Sequence, residues 1–114
     1  MSLSNKTYQP VQAISVQAVE DLPAFRFVSH LGSLCTDGTR ALGVTETNWL
    51  KDEHAAAVTL GTIAIETTTT INAGDDVTSD VLGKAKTAES NSAVNGRALD
   101  SCNGSGFIRI KLVP

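Results

Sequence analysis

The stretch "AVTLGTIAIET", Ala57 to Thr67, decides how the rest of the chain is read. It is built of β-branched and small residues, and no helical spacing of apolar positions runs through it. In an extended chain Val58, Leu60 and Ala64 fall on one face, and Ile63 and Ile65 on the other. A strand with aliphatics on both faces is covered on both, so the stretch reads as a long central strand. Gly61, in its middle, marks a bend or a bulge.

Shorter runs of period two surround it. In "FIRIKLV", Ile108, Ile110 and Leu112 share one face while Arg109 and Lys111 form a basic outer face. "AISVQA" pairs Ile14 with Val16, "AFRFV" pairs Phe25 with Phe27, and "RALGVTE" pairs Leu42 with Val44. Turn signals lie between these runs: Asp37-Gly38, the "NAGDD" cluster, Asn95-Gly96 and Asn103-Gly104. Such pairs readily take the positive-φ conformations of tight hairpins. The pattern predicts an all-β fold, a small single-domain β-barrel or sandwich of short antiparallel strands and hairpins. No convincing amphipathic helix is present. "TETNWLKDEHAAA" reads as a loop from which Trp49 and Leu50 plug the core.

Two stretches nearly repeat. Gly38, Arg40, Ala41 and Leu42 precede the central strand, and Gly96, Arg97, Ala98 and Leu99 precede the last one. Each reads as a hairpin opened by its glycine, with its leucine entering the core. Two like hairpins would then pack around one small core.

Composition excludes several classes. At 114 residues the chain fits one domain, divided here into an N-terminal arm over residues 1–11 and a β domain over 12–114. Aromatics are 4%, so the core is aliphatic. Charged residues are 18%, below the roughly 25% usual for soluble domains, as in a domain that hides surface against a partner. A net charge of −3 without a Lys/Arg cluster speaks against nucleic acid. No apolar run nears the ~20 residues that span a bilayer. "MSLSNKTYQPVQ" has neither a basic nor an apolar leader region, so synthesis in a cytoplasm without secretory export is expected. Cys35 and Cys102 match no metal or redox spacing and read as separate reduced thiols.

No residue set points to catalysis. Asp75, Asp76 and Asp80 lack calcium-loop spacing and read as turn and solvated carboxylates. His30 and His54 have no partner at metal-ligand spacing. Ser105 in "GSG" lacks the elbow and the base of a nucleophile. No metal, cofactor or small-molecule substrate is expected, and the chain reads as non-catalytic. The run Thr67, Thr68, Thr69, Thr70 closes a strand and can line an edge or a subunit contact.

The order of motifs resembles a known family. "ISVQAVEDLPAFRFV", "DGTRALGV", "AAAVTLGTIAIE", "INAGDDVTSDVLGKAKTAE", "NGRALDS" and the alternating C-terminal strand follow one another as in tailed-phage and prophage capsid decoration proteins, also called capsid cement or head decoration proteins. The resemblance spans roughly residues 12 to 113. The Trp-bearing loop "TETNWLKDEH" and Cys102 with its second glycine depart from it. It implies a non-catalytic structural protein of the virion, made in the host cytoplasm, that binds the outer surface of the capsid. There it would stabilise contacts between subunits of the major capsid protein, as a homotrimer on the head. Leu3, Tyr8 and Val11 of the arm are then the expected capsid contacts. Thr67 to Thr70, Arg109 and Lys111 are the expected oligomer contacts. The alternative is a carbohydrate- or receptor-binding β domain of a phage tail or baseplate, with Tyr8 or Trp49 as the stacking ring.

Overall fold

The computed structural model describes residues 7–113. They form β1 (Pro10–Gln17), β2 (Phe27–Val28), β3 (Gly43–Thr45), β4 (His54–Thr67), β5 (Asp76–Ser79), β6 (Ala85–Thr87), β7 (Gly96–Ala98) and β8 (Gly106–Leu112). No helix occurs among the described residues, and of the all-β barrel or sandwich expected from the sequence, a barrel is what forms. Around the barrel the order is β4, β8, β7, β5, β6 and back to β4. All neighbours are antiparallel except β4 and β6, which meet in parallel where Thr67 faces Ala85. That seam departs from the purely antiparallel expectation for a simple reason. Directions alternate around an antiparallel ring, so a ring with an odd number of strands must contain one parallel pair.

The other three strands sit on the N-terminal half of β4. β1 pairs with residues 54–61 of β4. β3 takes the opposite edge through Val44↔Val58 and Thr45↔Ala57, and β2 extends β3 outward. β4 therefore belongs to two sheets in turn, and Gly61 is the changeover. Val58 lies in the same buried cluster as Ile63 and Ile65, with Phe27, Val77, Ile108 and Ile110. Strict alternation would send residues 58 and 63 to opposite faces. The odd residue is absorbed at Gly61, whose φ is +101°, where the register of β1 slips between Pro10 and Ala13. The expected grouping of Val58 with Leu60 and Ala64 is corrected by this phase change. Leu60 is 42% exposed, and Ala64 is buried outside the barrel cluster.

A second, smaller cluster holds Ala18, Leu22, Val28, Ala55 and Ala57, with Leu34, Leu42 and Trp49 packed against it. Trp49 is held there by reciprocal backbone bonds with Leu22, both 2.8 Å. The loop plug expected of Trp49 and Leu50 is thus supplied by Trp49 alone, and Leu50 faces solvent. Phe25 and Phe27 do not share a face either. Phe25 has a φ of +60°, which turns the chain out of the strand before Phe27 enters the core.

Both near-repeats do become hairpins, β3–β4 and β7–β8, but their equivalence is shifted. Gly43, not Gly38, corresponds to Gly96: each opens a short strand pressed against its long partner. A Cβ on Gly43 would strike the carbonyl of Val58, and one on Gly96 would lie 3.0 Å from Ile110 Cδ1. The residues that enter the barrel core are Val44 and Ala98. Leu42 is half-buried at the second cluster and Leu99 is largely exposed, because each falls just outside its short strand.

Cys35 and Cys102 are free thiols buried in the barrel cluster. Burial pushes the Cys35 thiol up to about 11, against a small lowering by Thr39. A thiol whose pKa is raised in the folded state supports stability that is intact below its unfolded value and is lost as pH rises through the folded value. Unfolding free energy measured against pH should therefore fall between about 9 and about 11. Cys35→Ala should remove about 2–3 kcal/mol of that decline; an unchanged slope would contradict this. For the changeover, Gly61→Ala should cost about 3 kcal/mol in denaturant unfolding, since a Cβ there meets Gln9 O and lies 2.9 Å from Val11 N. Gly74→Ala, at a φ of +93° in open space, should cost only about 1 kcal/mol.

Candidate functional site

The aspartates of the turn cluster are consumed by structure. Asp75 accepts from Asn72 N, Asp76 pairs with Arg97 at 3.3 Å, and Asp80 accepts from Leu82 N, Lys84 N and Thr68 Oγ1. These are the turn carboxylates expected from the sequence, and they do not converge. No group of His, Cys, Asp and Glu able to hold a metal occurs among the described residues. His54 opens β4 in solvent.

The residues expected at the arm are dispersed. Leu3 lies outside the described residues. Residues 7–11, expected as part of the arm, are instead fastened to the domain. Gln9 N donates to Thr62 Oγ1 at 2.7 Å, Thr62 N returns a bond to Gln9 O at 3.1 Å, and β1 begins at Pro10. The ring of Tyr8 meets Phe25 edge-on at 6.4 Å, and Phe25 meets Phe107 at 6.0 Å. Burial, then the nearby Glu46 carboxylate, raises the Tyr8 pKa. The aromatic contact and the freed backbone of Thr62 beyond Gly61 anchor a segment whose composition alone looks loose. Val11 is 69% exposed.

The residues expected at an oligomer contact divide. Thr67 is fully buried and donates to Gly104 O, while Thr68 and Thr70 bond Asp80 and Asn103 from exposed positions. Arg109 is bidentate to Asp100, at 2.9 and 3.1 Å, and this carboxylate raises its pKa; Arg109 also donates to Thr7 O. Thr69 and Lys111 are exposed. Neither expected stacking ring is a free plate: Trp49 packs in the second cluster with its Nε1 shielded, and Tyr8 is edge-on to Phe25.

What the sequence did not single out is a trough over β4. It encloses about 310 Å³ between Gln12 and Ile14 of β1 and the segment Arg40–Leu42, with Thr59 and Leu60 as its floor and Val94 and Val113 at one end. Asn95 builds that end. Its Oδ1 accepts from Ala41 N at 3.0 Å, its Nδ2 donates to Thr39 O at 2.9 Å, and its backbone bonds Val77 and Val113. Ala93 N also donates to Gly38 O. The two near-repeats thus lie side by side, and the Asn of one clamps the loop of the other. The Asn95-Gly96 pair reads as turn chemistry in the sequence, and its long-range partner 54 and 56 residues away leaves no local signal.

A closed five-stranded barrel with a mixed polar and aliphatic trough open on its outside makes this a small all-β domain with a solvent-facing surface groove. The model of the phage cement protein family matches residues 6–112, and the chain belongs to that family. Membership gives it a structural, capsid-binding role. The chain is similar in fold to the N base of the head fiber gp8.5 of bacteriophage phi29. That likeness has a TM-score of 0.74 at 17% identity and covers 90% of this chain and 93% of that one. No curated protein matches.

Asn95→Ala should cost about 2–3 kcal/mol, because it leaves Ala41 N and Thr39 O without partners in a site where Asn95 is 5% exposed. Asn95→Asp keeps the acceptor but loses the donor and should also destabilise. Thermal and denaturant unfolding would check both, and wild-type stability in either variant would refute the clamp.

Proposed function

We propose that this protein binds the outer surface of an assembled phage head and reinforces contacts between neighbouring major capsid protein subunits, without catalysis. The family match over residues 6–112 carries the reading. The fold suits it: a small barrel offers fixed surface, and Asp75, Asp76 and Asp80 are tied up in turns and an ion pair. A ligand that binds the assembled lattice and not free subunits stabilises the lattice by mass action, by about 2.7 kcal/mol per site at a concentration of 100 Kd. Binding as a homotrimer would add avidity at each local three-fold. Exposed Thr69 and Lys111 are our candidates for that contact. Residues 1–6, with Leu3, are our candidates for strand addition to a capsid sheet edge. The chain needs no cofactor, nucleic acid, membrane or small-molecule substrate for this role. Its location is the virion surface, after synthesis in the host bacterial cytoplasm.

Purified protein should co-sediment saturably with expanded heads that lack decoration, and should raise the temperature at which those heads release their contents. It should not bind free capsid subunits. Saturable binding to tail or baseplate fractions with none to heads would favour the receptor-binding alternative.

A further inference from the structure

We infer that the trough over β4 is the seat of an extended aliphatic segment bearing a carboxylate, contributed by the capsid subunit; this rests on the capsid-binding reading above. Three large aliphatics from separate parts of the chain converge there while remaining open to solvent: Ile14 at 44%, Leu60 at 42% and Val94 at 40% exposure. At about 310 Å³ the trough sits at the small end of ligand sites. Its walls are too exposed to engulf a small molecule, which usually loses most of its surface to its site. They suit side chains laid down from a segment that passes across. Gln12 and Thr59, already bonded to each other at 3.1 Å, offer polar atoms to its backbone.

Charge selects the segment's chemistry. The lining residues that can carry charge are Arg40 and His30, both of cationic type, and no carboxylate lines the trough although the chain's net charge is −3. Arg40 is exposed and makes no ion pair among the described residues. Its position is nevertheless fixed, because Asn95 grips the backbone on either side of it, at Thr39 and Ala41. A guanidinium set on a clamped backbone beside an aliphatic floor matches a carboxylate next to apolar side chains, and it selects against a cationic segment.

The test is co-sedimentation with undecorated expanded heads at low and high salt. It uses wild type, Arg40→Glu, Leu60→Asp and, as a control, Val81→Asp, since neither Val81 nor its chain neighbours line the trough. Val81, Leu60 and Arg40 are all exposed, so matched melting curves are expected; should Leu60→Asp fail to fold, Arg40→Glu decides. Arg40→Glu and Leu60→Asp should each weaken binding at least ~tenfold, Arg40→Glu should flatten the salt dependence, and Val81→Asp should leave binding unchanged. Wild-type affinity in both trough variants would overturn the inference and leave the capsid reading standing. Wild-type protein that fails to bind heads would overturn both. Trough variants that change oligomeric state in light scattering but not head binding would assign the trough to a second copy and also overturn the inference.

Discussion

Everything in this fold depends on how β4 changes sheets at Gly61. The strand is long enough to serve two sheets, but a strand of strict alternation could not put Val58 and Ile63 into one core. One residue at a φ of +101° shifts the phase and lets a single strand hold both ends of the molecule. The bulge also admits the N-terminal segment, since Gln9 and Val11 approach the backbone of residue 61 where a side chain would stand. Barrel closure, the anchoring of residues 7–9 and the floor of the trough at Thr59 and Leu60 all follow from that one conformation.

A second constraint ties the halves together. The short strands β3 and β7 are too brief to hold a hairpin by ladder bonds alone, and each gains from its neighbour. Asn95 bonds the loop before β3, and Lys86 bridges to Asp37 in the same loop, which raises the Lys86 pKa. On the opposite side Glu66 receives both Arg26 at 3.2 Å and Lys84 at 3.4 Å, while Arg26 also donates to Leu82 O. These pairs are partly shielded, yet their contribution is less in energy than in geometry, because exposed ion pairs are worth little each. They fix where loops lie on a barrel whose cohesion is aliphatic.

The sequence shows some of this plainly. The alternation of Ile108, Ile110 and Leu112 with Arg109 and Lys111 is read directly because β8 is regular and one of its faces is wet. The all-β class follows from the same logic. The phase change at Gly61 is marked in the sequence only as a bend or bulge, because alternation breaks by a single residue and both phases offer aliphatics. Phe25 misleads because its φ of +60° is set by tertiary contacts with Thr45 and Glu66, not by local preference. The near-repeat points to two hairpins but misplaces their register, since Arg-Ala-Leu draws attention away from the glycines that close packing requires. The trough is not legible at all: Ile14, Arg40, Leu60 and Val94 are separated along the chain and meet only through the barrel. The family resemblance, in contrast, is legible through the order of motifs, and it names a role without naming a surface.

The allocation of polar groups explains how a protein of this kind can act without chemistry. Asp75, Asp76, Asp80 and Asp100 all serve turns, ladders or ion pairs, and Thr45 and Thr67 bury hydroxyls that bond carbonyls. The surface outside carries, among its polar residues, several exposed aliphatics. Leu31 is 80% exposed at the tip of a turn in which Ser29 bonds Leu31 N, Ser33 N and the Ser33 hydroxyl, so the backbone that carries this projecting side chain is held in place. Single exposed aliphatics are ordinary on a protein surface. Several of them on stiff supports lose little conformational freedom on docking, so more of the contact energy is kept as affinity. For a protein that must match a repeating shell many times over, rigidity of this kind matters more than any one strong contact.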